Sequence, residues 1–151
     1  MPSFENLHPV AHSADDMFAL VADVEKYPEF VPLCSALRVR GRKDLEDGRS
    51  LLVADMTVAY KMFRETFTSR VTLSPDRREI LVEYLDGPFK HLENRWTFRP
   101  TGEGRSEIGF YITYEFKSRT LGTLMSTMFD RAFRKFSAAF EARADHVYPT
   151  A

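Results

Sequence analysis

The chain has few of the residues that support disulfide, metal or nucleotide chemistry. Cys34 is its only cysteine, so no disulfide can form within the chain and the fold depends on packing in a reducing compartment. Only two of the four histidines, His8 and His12, are close in sequence, and Pro9 keeps them from forming a helical ligand pair. A Gly-x-Ser-x-Gly elbow and a glycine-rich phosphate loop are also missing. We therefore expect no metal site and interpret Cys34 as a buried, inert thiol.

Long apolar runs and an excess of one charge are missing as well. No stretch approaches the ~18 consecutive apolar residues of a membrane-spanning helix, and residues 1–10 lack the basic and apolar regions of a signal peptide. The chain has 21 Lys and Arg against 22 Asp and Glu, for a net charge of −1. This balance argues against a nucleic-acid binder that relies on bulk positive charge. These features predict a cytoplasmic protein, with peripheral contact at the inner membrane as an open alternative.

Phenylalanine is the most unusual part of the composition. There are 13 Phe residues against six Tyr and one Trp, and hydrophobic residues form 44% of the 151 residues. This is enough apolar material for one core, and no repeat or linker divides the chain, so residues 1–151 are expected to form a single domain. So many Phe side chains indicate either a very aromatic core or an aromatic-lined pocket.

Hydrophobic periodicity predicts a strand-rich middle of the chain. Residues 3–10 are predicted to form a strand, and Ser13 is a suitable N-cap for a short amphipathic helix. The prolines of the run 27–34 limit it to a short helical turn or an ordered loop. From about residue 35 to 117 apolar and polar residues alternate, with turn signals between the runs, which predicts consecutive antiparallel strands with one buried face. Both faces of 51–60 are partly apolar, so its inward face is left open.

The last segment changes to the helical period. Apolar residues recur at steps of three and four from Leu121 to Phe140, after a suitable N-cap at Ser118. A helix of ~26 residues is roughly 40 Å long, and a twisted sheet can curl around it but cannot cover it flatly. We therefore predict an α+β fold in which a curved antiparallel sheet of about six or seven strands wraps a long C-terminal helix, with one or two short helices after the first strand. The gap between helix and sheet is the predicted pocket.

Four segments of the sequence carry a resemblance to a known family. They are YPEFVPLC (27–34), FRETFTSRVTL (63–73), DGPFKHLENRWTFRP (86–100) and YEFKSRTLGTLMSTMFDRAFRKFSAAFEAR (114–143). In this order and spacing they resemble the START-like, helix-grip (Bet v 1-like) superfamily of polyketide cyclases and dehydrases. Within it the chain is similar to the bacterial relatives of the mitochondrial coenzyme Q-binding protein, a family also described as ribosome-association toxins. The resemblance covers nearly the whole chain.

The resemblance implies a binding function. It implies a non-enzymatic domain that holds ubiquinone, or a similar polyisoprenoid lipid, in a hydrophobic cavity and acts as a carrier or chaperone in respiration and quinone biosynthesis. No catalytic residue set and no cofactor other than the bound ubiquinone come with it. The alternative is a toxin that binds the large ribosomal subunit and blocks subunit joining. A third hypothesis is a cyclase or dehydrase, for which the residues to test are Tyr60, Glu65, Tyr84, His91 and Tyr114.

The expected ligand site combines rigid Phe rings, adaptable Met side chains and a few polar groups. Glu65, Ser69 and Asn94 lie on otherwise apolar strand faces, where a buried polar group needs a partner. Glu65 and Asn94 either bind a ligand head group or lie at solvated strand ends, and Glu65 has the further option of pairing with an arginine. The expected ligand-binding residues are Phe30, Leu33, Phe63, Glu65, Phe67, Pro88, Phe89, Leu92, Asn94, Trp96, Phe110, Ile112, Tyr114, Leu124, Met125, Met128, Phe129, Phe133 and Phe136.

Basic residues cluster on two predicted outer faces. A solvated surface is the default interpretation of both clusters, and weak docking on an anionic membrane or on ribosomal RNA is the alternative. The clusters are Arg38, Arg40 and Arg42 on a strand, and Arg131, Arg134 and Lys135 on the last helix.

Overall fold

The computed structural model describes residues 3–148, which form one antiparallel sheet and the helices that pack on it. The strands are β1 (Ser3–Val10), β2 (Cys34–Asp44), β3 (Ser50–Tyr60), β4 (Phe63–Ser74), β5 (Glu79–Asp86), β6 (Phe89–Gly102) and β7 (Arg105–Phe116). The α-helices are α1 (Ala14–Ala22) and α2 (Arg119–Val147), and short 3-10 helices cover Val24–Glu29 and Pro75–Arg77. No helix within residues 3–148 has the length and apolar character needed to cross a bilayer.

The strand order is β1-β7-β6-β5-β4-β3-β2, so β2 to β7 form a meander and β1 returns to pair with β7. The sheet curves around α2, which confirms the predicted fold. The β5–β6 turn needs glycine at position 87, where φ is 143° and an added Cβ would lie 2.7 Å from Cβ of Phe67.

The elements between β1 and β2 form where the sequence pattern places them. The side chain of Ser13 accepts a hydrogen bond of 3.1 Å from the backbone N–H of Asp16 and caps α1. Asp15 and Asp16 lie in the first turn, where the helix dipole favours negative charge. The proline-containing run that follows forms the short helix Val24–Glu29, with Pro28 inside it. Phe30 ends this helix, and residues 31–33 then lead into β2.

Helix α2 spans 29 residues and is capped by Ser118, whose hydroxyl accepts a 3.1 Å hydrogen bond from the N–H of Leu121. Its first turn contains no acidic residue, unlike that of α1. The helix buries an apolar face against the concave side of the sheet. The hydrophobic side chains buried there are Met125, Phe129, Ala132, Phe133, Phe140 and Ala144.

Three polar pairs attach the C-terminal half of α2 to β1 and the loop after it. Asn6 Nδ2 donates to the Ser137 hydroxyl at 3.0 Å, His8 Nε2 lies 2.9 Å from a Glu141 carboxylate oxygen, and His12 Nε2 lies 2.6 Å from Asp145 Oδ1. One side of this half of the helix therefore rests on the β1 edge of the sheet, and the opposite side is left to face the interior space under β2 to β4.

The pairing of β3 decides the face that the sequence left open. Leu52, Ala54, Met56 and Val58 face inward. Asp55 lies on the outer face, where its carboxylate accepts hydrogen bonds from Thr68 at 2.6 Å and Arg40 at 2.7 Å. The Thr68 hydrogen bond, followed by the interaction with Arg40, lowers the pKa of the Asp55 carboxyl below its usual value.

Candidate ligand cavity

A cavity of about 110 Å³ lies between the concave face of the sheet and α2. Strands β2 to β7 form its floor, α2 forms its roof, and residues 31–33 close one side. An apolar cavity of roughly 150 Å³ holds a benzene molecule. The space in this structure is smaller than that, so a substituted ring would enter only if side chains of the wall moved outward. A long polyisoprenoid chain would need α2 or residues 31–33 to move outward.

More than half of the residues expected to bind a ligand line this cavity. They come from the 31–33 segment, β4, β6, β7 and α2, and the fold brings them to one place from distant parts of the chain. These residues are Leu33, Phe67, Phe89, Leu92, Asn94, Trp96, Phe110, Ile112, Phe129, Phe133 and Phe136.

Four of the expected residues are held outside the cavity by neighbouring aromatic rings or by core packing. Phe30 packs edge-on against Phe140, with ring centroids 5.0 Å apart. Phe63 closes on Phe129 from the β3–β4 hairpin at 6.3 Å. Tyr114 of β7 is buried with its ring centroid 5.5 Å from that of Phe133, and Met125 is buried in the core. Phe30, Phe63, Tyr114 and Met125 therefore pack behind the side chains that line the cavity.

The remaining four lie near the surface. Glu65 is half-buried near the start of β4, opposite Val58 of β3, and Pro88 lies in the β5–β6 turn. Leu124 is 70% exposed, and Met128 is half-buried beside it on α2. The helical period places these two residues near the apolar face of α2, but the inward direction lies further around the helix.

Several lining residues were missed by the sequence reasoning. Their inward direction depends on strand pairing and on the path of the chain after α1, which periodicity alone does not give. Ser69 was recognised on an apolar strand face but was not assigned to the site. The missed residues are Val24, Tyr27, Val31, Pro32, Leu37, Ala54, Met56, Val58, Ser69, Val71, Ile80, Val82, Ala132 and Phe140.

Ser69 and Asn94 place polar atoms on the floor of this apolar cavity. Asn94 Nδ2 donates to the backbone carbonyl of Tyr111 at 2.9 Å. The Ser69 hydroxyl and the Asn94 side-chain oxygen make no hydrogen bond within residues 3–148, yet no fully enclosed side-chain polar atom there lacks a partner. Both atoms therefore reach the open space of the cavity. Strand β5 runs between them, where Ser69 pairs with Tyr84 and Asn94 pairs with Val82. They are therefore roughly 10 Å apart across the sheet and about 7 Å apart along the strands.

The lining contains one ionisable side chain, Tyr27, within the described range. Its hydroxyl donates to the backbone carbonyl of Val21, and burial raises the pKa of Tyr27 well above its usual value. Cys34 packs in the core nearby, where burial raises the pKa of its thiol to about 11. Both groups are therefore protonated at neutral pH.

None of the residues considered for a cyclase or dehydrase lines the cavity. These residues are Tyr60, Glu65, Tyr84, His91 and Tyr114. Burial raises the pKa of Tyr84 and of Tyr114, and the Tyr84 hydroxyl accepts a 3.1 Å hydrogen bond from the N–H of Phe89. Within residues 3–148 no three His, Cys, Asp or Glu side chains are grouped so that they could hold a metal ion.

Comparison with known proteins identifies the family. A sequence model of the family described as "Polyketide cyclase / dehydrase and lipid transport" matches residues 10–141. The chain is 34% identical over 152 residues to a protein of Escherichia coli K12 named ribosome association toxin RatA, covering 98% of this chain and 90% of that one. It is 31% identical over 140 residues to the mitochondrial coenzyme Q-binding protein COQ10 homolog B of Xenopus laevis, covering 90% of this chain and 55% of that protein.

A solved structure gives the same result. The solution structure of an 18 kDa protein from Caulobacter crescentus superposes with a TM-score of 0.81 at 35% identity, over 99% of this chain and all of that one. These similarities confirm the resemblance seen in the four sequence segments. The chain belongs to the polyketide cyclase/dehydrase and lipid transport family, with its START-like fold.

Proposed function

We propose that the protein is a non-enzymatic carrier that binds the ring of ubiquinone, or of a similar prenylated lipid, in the cavity under α2. The observation that carries this proposal is the make-up of the cavity wall: apolar side chains surround two open polar groups, Ser69 and Asn94. Ligand sites of this kind gain affinity from apolar contact and use a few polar groups to orient the ligand. The protein would act in the cytoplasm and at the inner membrane surface.

The two polar groups suit both redox forms of a quinone ring. Quinone carbonyls accept hydrogen bonds, which the Ser69 hydroxyl and the second N–H of the Asn94 amide can donate. Quinol hydroxyls can instead donate to Ser69 Oγ and Asn94 Oδ1. A carrier that holds both forms needs groups that donate and accept, and these side chains do both.

The tail of the ligand would leave through the mouth of the cavity. Several lining side chains are half-exposed and mark this opening between β2, β3, α2 and the 31–33 segment: Pro32, Leu33, Leu37, Met56 and Phe136. Each isoprene unit covered there removes on the order of 100 Å² of apolar surface from water, about 2.5 kcal/mol before ordering costs. A few units would give useful affinity without any charged contact.

A binding role also agrees with the chemistry of the wall. General acid–base catalysis needs a group that titrates near the working pH, and Tyr27, the ionisable lining residue within the described range, is held protonated. A relative in Xenopus laevis carries the name coenzyme Q-binding protein, which supports ubiquinone as the ligand.

The direct test is to purify the protein gently from its own host and to analyse extracted lipids by mass spectrometry. We expect a ubiquinone or its quinol in near-equal amount to the protein, and a matched preparation of a variant with the cavity filled (Ala132→Leu) should carry much less. Preparations that hold no isoprenoid lipid, and that take up none when it is added, would contradict the proposal.

A second candidate is supported by the relatives named ribosome association toxin, which are 34% identical to this chain. It predicts that the protein sediments with large ribosomal subunits and lowers the fraction of joined ribosomes. On the outer face of the sheet several cations are already paired with carboxylates, as in Arg70–Glu83, Arg95–Glu79 and Arg99–Glu107. Because these cations are already neutralised by carboxylates, the outer face of the sheet is a poor binding surface for RNA. Sedimentation of wild-type protein with purified subunits decides between the candidates.

A further inference from the structure

Two largely exposed apolar side chains lie at the end of the molecule where α2 begins. Met62, at the tip of the β3–β4 hairpin, is 99% exposed, and Leu124 on α2 is 70% exposed. Phe63, next to Met62, packs on Phe129, with ring centroids 6.3 Å apart. Leu124 precedes Phe129 by five residues, about 7.5 Å along the helix. The hairpin tip and this part of α2 therefore share one end of the molecule.

Leu124 belongs to a stripe of residues along one side of α2. Leu124, Met128, Arg131 and Lys135 are spaced by four, three and four residues, so they line up on one side of the helix. Met128 is half-buried, and Arg131 and Lys135 are exposed. Phe136, a half-exposed lining residue, follows Lys135 and lies about 100° further around the helix. The stripe therefore flanks the side of α2 that borders the mouth of the cavity.

This part of the molecule carries a surplus of unpaired positive charge. Residues 117–139 contain five Lys and Arg and one acidic residue, Asp130, which pairs with Arg134 at 2.9 Å. Among the ion pairs of residues 3–148, the other four cations have no carboxylate partner; they are Lys117, Arg119, Arg131 and Lys135. Lys61, beside Met62, likewise has no carboxylate and lies over the ring of Tyr60. The chain as a whole has a net charge of −1, so this charge is concentrated locally.

We propose that this docking surface binds an anionic phospholipid bilayer; it consists of Lys61, Met62, Leu124, Met128, Arg131 and Lys135. A bilayer offers both kinds of contact that the surface needs. Its acyl region takes up apolar side chains, and its anionic head groups attract the cations. RNA would satisfy the cations but leave Met62 and Leu124 without an apolar partner. Docked in this way, the protein holds the mouth of the cavity beside the membrane surface.

This inference deepens the proposed function, because a ligand could pass between bilayer and cavity without crossing water. Docking itself needs no ligand in the cavity. The two claims can therefore fail separately.

The test measures partition of the full chain onto sedimented vesicles of phosphatidylcholine alone and of phosphatidylcholine mixed with phosphatidylglycerol. We expect the mixed vesicles to bind the protein more tightly. Lys135→Glu should lower the partition coefficient at least about fivefold, because each basic residue near an anionic surface contributes a factor of about five. Leu124→Ser and Met62→Ser should lower it as well.

Matched controls come from the far side of the sheet. Leu7 on β1 is 64% exposed, and Lys43 on β2 is exposed without an ion pair in the described residues. Leu7→Ser and Lys43→Glu should bind vesicles like the wild type. All of these side chains are at the surface, and a thermal melt of each variant checks that the fold is kept.

Equal partition onto the two kinds of vesicle would overturn the docking surface, and so would equal losses in the controls. Loss of ribosome sedimentation with unchanged vesicle binding in Lys135→Glu would also overturn it and would assign the surface to RNA. Titration with a short-chain quinone in the absence of vesicles separates the two claims. A wild type that binds quinone but no anionic vesicle contradicts docking alone, whereas one that binds vesicles but no quinone contradicts the carrier function alone.

Discussion

Trp96 of β6 and Phe140 of α2 pack edge to face across the interior, with ring centroids 4.9 Å apart, and both side chains line the cavity. This contact joins sheet and helix at the end of α2 that the polar pairs hold to β1 and its loop. Aromatic pairs of this geometry contribute about 0.5–1.5 kcal/mol beyond the area that they bury. The cavity is therefore closed firmly at this end. Because Trp96 is the single tryptophan, its fluorescence reports on whatever enters.

Replacing Ser69 by alanine tests the polar groups of the cavity floor. The Ser69 hydroxyl makes no hydrogen bond with the described part of the protein, so Ser69→Ala should leave the free energy of unfolding nearly unchanged. If the hydroxyl binds the ligand ring, quinone affinity should fall about threefold to tenfold, the value of one neutral hydrogen bond. Quenching of Trp96 fluorescence measures the affinity. Ser126→Ala, on α2 away from the lining residues, is the control, and an equal affinity in both variants would remove Ser69 from the site.

Gly87→Ala tests the tight β5–β6 turn. An added methyl group would meet Phe67 at 2.7 Å, in a backbone conformation that residues with a side chain rarely adopt. We expect a loss of about 1–3 kcal/mol in the free energy of unfolding, measured by urea denaturation. Gly41→Ala is the matched control, because no atom lies within 4 Å of the added group. Equal stability of the two variants would mean that the turn relaxes without strain.

The sequence predicted the strands, both helices and their caps, because each depends on local periodicity and on one capping side chain. The inward face of β3 could not be predicted from the sequence, because Leu51 and Leu52 are equally apolar. Only the pairing of β3 with β4 decides which of the two faces inward. The cavity-facing side of α2 could not be predicted from the sequence either. The attachment of Ser137 to Asn6 sets that side through a contact 131 residues apart in sequence. For this reason Leu124 was assigned to the site and Ala132 was not.

The lowered pKa of the Asp55 carboxyl predicts that the protein loses stability in acid. Its folded-state pKa is depressed, so its contribution is present above the unfolded pKa of about 3.9 and is lost as the pH falls through the lower folded value. Asp55→Asn should therefore be less stable than the wild type at pH 7, and the difference should shrink as the solution is acidified. Asp44→Asn, at an exposed position, is the control. A difference that stays constant between pH 7 and strongly acidic solution would contradict the assignment.

Arg119→Glu separates stability from docking. The first turn of α2 holds no acidic residue, and a negative charge there should stabilise the helix by about 0.3–1 kcal/mol through its dipole. The same change lowers the positive charge of the end of the molecule that carries the docking surface, so vesicle binding should weaken while the melting temperature rises. Thermal melts and vesicle sedimentation measure the two effects. A variant that is both more stable and equally bound to anionic vesicles would show that Arg119 lies outside the contact.

The central claim is that the hydrophobic ring of a quinone binds in the cavity between the sheet and α2. Titration of Trp96 fluorescence with a short-chain ubiquinone tests this claim most directly. We predict saturable quenching in the wild type. Quenching should be strongly weakened in Ala132→Leu, which fills the lining, and kept in Ala138→Leu, which adds the same bulk to the exposed side of α2. Wild-type fluorescence that does not saturate, or two leucine variants that bind alike, would contradict the claim.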